Sequence, residues 1–117
     1  MWQIIKHKSS EQQVLINNLK KKIDTNINFY IPKIRYKKFY KNKFIIIEKK
    51  IFPEYLFCFN EKFSLKSKIN ELRYTKGLQY FLDGGFSNQI QIQGFINYCK
   101  SKENSDGYLK PEFFNTF

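Results

Sequence analysis

This 117-residue sequence predicts an α+β fold: a mostly antiparallel four-stranded sheet with a basic β-hairpin, flanked by three helices. Three observations support that class. Aromatic and β-branched runs at 29–39, 44–48 and 52–59 are bounded by turn residues, as strands are. Apolar residues recur at helical spacing at Leu15/Leu19/Ile23, at Leu65/Ile69/Leu72 and at Ile92/Phe95/Ile96/Cys99. The resulting order, β-α-β-β-β-α-β-α, belongs to a sandwich around a mostly antiparallel sheet.

Trp2 to Lys6 is apolar enough for a short central strand. Ser10 and Gln13 have the spacing of a capping box, which predicts that the first helix starts there. The helix closes on Lys20, Lys21 and Lys22, which suit the negative end of its dipole. Phe29–Phe39 and Phe44–Glu48 read as strands joined through 40–43, where Asn42 tolerates the left-handed backbone of a hairpin turn. From Lys33 to Lys50 eight Lys/Arg face a single acidic residue, Glu48, a net +7 in eighteen residues. Such lysines suit direct contact with nucleic acid, or a solvated edge that discourages strand pairing.

Along the next strand side chains alternate, so Tyr55, Phe57 and Phe59 project to one face and Leu56 and Cys58 to the other. Both faces are apolar. A small domain readily covers one face of its sheet, which leaves the aromatic face to await a partner. Ser64 is expected to open a second helix with Leu65, Ile69 and Leu72 toward the core. Tyr80–Leu82 reads as a short strand ended by Asp83-Gly84-Gly85, and a last amphipathic helix follows. Residues 101–117 take no assignment beyond a tail or linker.

Composition narrows the function classes. The length fits one domain, and thirteen Phe and eight Tyr argue against disorder. A net charge of +11 favours anionic partners. No apolar run approaches the roughly 20 residues of a membrane span, and the N-terminus lacks the pattern of a signal peptide. A cytoplasmic protein is therefore expected, acting as a monomer, with no membrane and no small-molecule substrate. Cys58 and Cys99 are expected to be reduced core residues. One histidine, His7, between two lysines, reads as a surface residue. Acidic residues are scattered, and no GxxxxGK[ST] or GxGxxG loop occurs. The chain is not expected to be an enzyme or to hold a metal or cofactor.

Several features occur in a telling order. Trp2 opens the first strand, the first helix ends in basic residues, and Pro32 interrupts Phe29-Tyr30-Ile31. A polar-tipped hairpin, Phe52-Pro53-Glu54-Tyr55-Leu56-Phe57 and Thr75-Lys76-Gly77-Leu78 follow, with Phe81 three residues on. From Trp2 to about Lys100 this succession resembles the N-terminal (NGN) domain of NusG/RfaH transcription elongation factors. That family carries an F-P-G-Y-L-F-like strand and a later T-x-G-V.

The resemblance implies that residues 1–100 bind RNA polymerase, with Phe52, Pro53, Tyr55 and Phe57 packed on the clamp helices of its largest subunit. The RfaH branch also reads the exposed non-template DNA strand, and the matching positions here are Lys8, Asn18, Lys21, Lys22, Thr75 and Lys76. A specialised RfaH-like paralogue that modulates pausing and antitermination is thus the expectation.

Three departures qualify it. Glu54 replaces the usual Gly or Asn, a strained choice wherever positive φ is required. Lys68-Ile69-Asn70-Glu71 replaces the His-Thr-Thr-Thr run that meets the polymerase gate loop. The family's KOW domain is not within these 117 residues, so nothing in them masks the aromatic strand. Two other readings compete: a stand-alone nucleic-acid-binding module using the Lys33–Lys50 hairpin, and a decoy that only occupies the clamp helices.

Overall fold

A computed structural model describes the backbone of residues 1–116 and the side chains of residues 1–113. Phe117, the end of the expected tail, lies outside the described residues. The chain is α+β. Strands β1 (Trp2–His7), β2 (Asn28–Tyr30), β5 (Tyr55–Phe59) and β6 (Leu78–Phe81) form an antiparallel sheet in the order β2-β5-β1-β6. Strands β3 (Lys33–Tyr40) and β4 (Lys43–Lys50) form a separate two-stranded ribbon. Helices α1 (Gln12–Lys22), α2 (Lys66–Leu72) and α3 (Gln89–Lys102) flank the sheet.

The expected 29–39 strand is two strands in two sheets, divided at Ile31-Pro32. Proline has no N–H for a ladder. The Pro32 carbonyl instead accepts from Ile51 N at 3.0 Å, which pins the ribbon's root. At its far end Lys41 and Asn42 both take positive φ, 49° and 60°, as a two-residue type I′ turn requires.

Alternation along β1 and β5 sorts the core into two layers. Ile5, Leu56 and Cys58 meet Leu15, Ile16 and Leu19 of α1 and Ile69 and Leu72 of α2. Trp2 and Phe57 meet Ile92, Ile96 and Cys99 of α3 on the opposite face. Leu109 and Phe113, beyond α3, are buried in that second layer. Leu109 N donates to Lys33 O at 2.7 Å, and the Phe113 ring lies 5.8 Å from that of Tyr98. The segment unassigned from sequence therefore packs on the ribbon's root and on α3.

Both cysteines are buried free thiols, as expected. Burial pushes the Cys58 thiol up and raises that of Cys99 to about 11.

Four local expectations are corrected. The capping box does not form: α1 starts after a 3-10 turn at Ser9–Glu11, and no side chain caps it. Ser64 ends a 3-10 turn, Glu61–Ser64, whose cap is Asn60, accepting from Lys62 N at 2.9 Å. Leu65 precedes α2 rather than sitting on its inner face, and is exposed. His7 is fully buried, contrary to its surface reading. Its Nδ1 lies 2.8 Å from Lys8 O and its Nε2 3.3 Å from the Gln12 amide, so backbone and amide partners replace water.

Candidate functional site

The expectation that the aromatic face of β5 lacks cover is overturned at Phe57, which is 5% exposed. Its ring stacks on Phe95 of α3 with centroids 5.8 Å apart and a 22° interplanar angle. Tyr30 packs edge-on from the other side at 6.4 Å. Sequence periodicity placed α3 correctly but could not say which sheet face it would cover. Phe57 is a core residue here.

Exposure rises one residue pair further along. Residues directly opposite across a ladder share a face, so the row Tyr55–Lys6–Tyr80 continues the Phe57 face. Tyr55 is half-buried and Tyr80 is 52% exposed. Lys6 Nζ lies 5.4 Å from the Tyr55 ring centroid and pairs with Glu54 at 2.7 Å. Phe52 bridges this surface to the core, its ring about equally far from Phe57 (6.1 Å) and Phe95 (6.0 Å). Pro53 and Glu54 form the exposed turn between Phe52 and Tyr55, whose N–H donates to Phe52 O at 3.3 Å. Tyr80 was missed from sequence. Its pairing with Lys6 depends on register, which periodicity does not supply.

Glu54 has an ordinary negative φ, since Lys41 and Asn42 are the non-glycine positions with positive φ among the described residues. The strain considered for Glu54 is therefore absent. Its carbonyl accepts from His7 N at 2.9 Å, and its carboxylate holds Lys6. The hydrogen bond from Lys6 keeps the Glu54 carboxyl below the usual carboxylate range, and the same bond raises the Lys6 ammonium.

A second constellation forms where α1 meets the turn after α2. Gly77 adopts φ +96°, and a Cβ there would come within 3.0 Å of Leu15 Cβ and 3.2 Å of Glu11 O. Glycine lets this turn lie directly on α1. Asn18 and Lys22 are four residues apart on one helix face. Asn18 Nδ2 donates to Lys76 O at 3.3 Å, and Lys22 Nζ donates to Thr75 Oγ1 at 3.3 Å.

Four of the six expected nucleic-acid residues, Asn18, Lys22, Thr75 and Lys76, therefore meet in one place. Thr75 is 2% exposed, so it anchors Lys22 rather than presenting a surface hydroxyl. Lys21 and Lys76 are exposed beside this junction. Lys8 is exposed at the opposite end of α1, a helix about 16 Å long at 1.5 Å per residue. Tyr74, the residue before Thr75, is 92% exposed and went unnoticed in the sequence because a lone aromatic in a polar stretch carries no periodicity.

Residues 1–94 match the family model described as "NusG: Transcription termination factor nusG". The chain belongs to the NusG family. No curated protein matches it. NusG-family proteins are transcription elongation and termination factors that act with RNA polymerase, not enzymes. Among the described residues no group of three or more His, Cys, Asp or Glu could hold a metal ion, and no helix is long and apolar enough to cross a membrane.

Proposed function

We propose that this NusG-family chain docks on the clamp helices of RNA polymerase and modulates pausing as an RfaH-like paralogue. Residues 1–100 act as the NGN domain. The docking surface is Phe52, Pro53 and Tyr55, extended by Tyr80, with Phe57 supporting Phe52 from below. One observation carries this reading: the aromatic sheet face runs from buried Phe57 to half-buried Tyr55 and exposed Tyr80, beside an exposed Pro53 turn. Two or three such side chains, at roughly 1.5–3 kcal/mol each when buried, suffice for micromolar binding after the cost of association.

Beside it, the junction of α1 with the 75–77 turn meets the non-template strand. Exposed Lys21 and Lys76, Lys22 held by Thr75, and more distant Lys8 supply cations for phosphates. Asn18 keeps the turn in place through Lys76 O. The Lys68–Glu71 pair on α2, 3.2 Å, offers little to a gate loop.

Capture by core RNA polymerase tests the docking surface. The Pro53→Ala/Tyr55→Ala double variant, which spares the core, is expected to lose at least about tenfold in capture, the effect of roughly 1.4 kcal/mol. Equal capture of variant and parent defeats the assignment. Pause lifetimes in a transcription assay then separate a regulator from a decoy, which binds but leaves them unchanged.

A further inference from the structure

The tip of the β3–β4 ribbon carries an aromatic surface that the body of the protein does not use. Phe39 and Phe44 face each other across the ladder, their rings 5.2 Å apart at 61°. They stay 61% and 73% exposed, and Ile46 on the same face is 55% exposed. On the reverse face Tyr40 is 51% exposed, with Lys41 Nζ 5.3 Å from its ring centroid. A contiguous exposed apolar patch on a soluble domain marks an interaction site.

Charge decides the kind of partner. Between Tyr36 and Ile47 lie Lys37, Lys38, Lys41 and Lys43, with no acidic residue. All four lysines are exposed. The hairpin's one carboxylate, Glu48, accepts from Tyr108 Oη at 2.9 Å and lies 3.9 Å from Arg35, near the root. The tip is therefore cationic and built for an anion.

Register decides its form. Lys37 pairs with Ile46 beside Phe39–Phe44 on one face, and Lys38 with Ile45 beside Tyr40–Lys43 on the other. A ribbon lying on a lipid surface segregates apolar groups to one face and lysines to the opposite one. Here each face carries both, in alternate positions about 6.6 Å apart. Rings interleaved with cations match a strand of flat bases and phosphates. A duplex hides the faces of its bases and would use the lysines alone.

We propose that the hairpin tip is a platform for an unpaired nucleic-acid strand. Its bases stack on Phe39 and Phe44, and its phosphates pair with the tip lysines. The site is separate from the α1 junction and needs no polymerase, so its failure leaves the proposed docking surface untouched.

Fluorescence anisotropy with the full chain tests it, using labelled oligo-dT of about 15 nucleotides, a duplex of equal length, and salt near 50 mM. Single strands should bind at least about tenfold more tightly than the duplex. The Phe39→Leu/Phe44→Leu pair keeps an apolar cross-strand contact but removes both rings. It should weaken single-strand binding by about tenfold or more while leaving duplex binding unchanged.

Lys37→Gln/Lys43→Gln should reduce the slope of log affinity against log salt by about 1.4. In a Lys21→Gln/Lys22→Gln background, which removes cations of the α1 junction, the leucine pair should still weaken single-strand binding by about tenfold. Circular dichroism confirms that each variant folds. Equal affinity for single strand and duplex, or no effect of the leucine pair, overturns the proposal. So does ring-dependent binding to phosphatidylserine vesicles with oligonucleotide binding intact, which would make the tip a membrane contact.

Discussion

The β5 strand and the β3–β4 ribbon look alike as sequences, yet they end in opposite environments. Phe57 on β5 is 5% exposed, whereas Phe44 on the ribbon is 73% exposed. Each lies on a β-strand with an aromatic cross-strand or through-space neighbour. The difference is what lies above them. α3 and the segment around Leu109 and Phe113 share a buried cluster with Phe57, while the ribbon's tip stays exposed. Aromatic alternation thus reports that a ring is on a strand face, not whether that face is covered.

Substitution at the two rings gives the largest contrast. Phe57→Ala should cost about 4 kcal/mol in urea unfolding, as buried Phe truncations do, and Phe44→Ala about 0.5 kcal/mol. Similar costs would erase the distinction between a covered and an uncovered ring.

Leu109→Ala sharpens it by attacking the cover itself. Leu109 is 1% exposed and its backbone joins the ribbon's root, so about 3 kcal/mol should be lost, with faster hydrogen exchange at Ile34. A neutral effect would mean that the segment beyond α3 adds nothing to the second core layer.

At the α1 junction Gly77→Ala should cost about 2 kcal/mol, since the site combines positive φ with a Cβ contact of 3.0 Å to Leu15. NMR shifts of Asn18 and Lys76 should move with it, and unchanged shifts would show that the turn does not depend on this contact.

The smallest effect concerns the exposed rim of the β5 face. Glu54 titrates lower when folded than when unfolded, so its pairing with Lys6 is complete at neutral pH and is lost as pH falls through that depressed value. Lys6 is raised, so its share fades only as pH climbs above the ordinary lysine range. Glu54→Gln should remove the acid-side component, seen as a Tyr55 ring shift that no longer titrates at low pH. A persisting titration would place its origin elsewhere.

Much of this was legible in the chain. The three helices, the hairpin and its turn, the buried cysteines and the family resemblance all follow from spacing and residue type, which are local properties. Other features were not legible because they depend on where distant segments land. The 29–39 run reads as one strand until Pro32 is seen to hand its carbonyl to Ile51. His7 looks solvated until α1 brings Gln12 over it. Thr75 looks like a surface hydroxyl until Gly77 lets its turn settle on Leu15 and Lys22. Tyr80 joins the candidate docking row only through the β1–β6 register.

By itself, then, the sequence determined the element types, the concentration of positive charge on the hairpin and the motif order that marks the NusG family, since each is written in neighbouring residues. The tertiary structure alone decided which aromatic rings are core and which are surface. That choice is made by the helix or segment that closes over a sheet face, and the closing residue lies tens of positions away in the chain: Phe95 stacks on Phe57, whereas Phe39 and Phe44 at the ribbon tip stay 61% and 73% exposed.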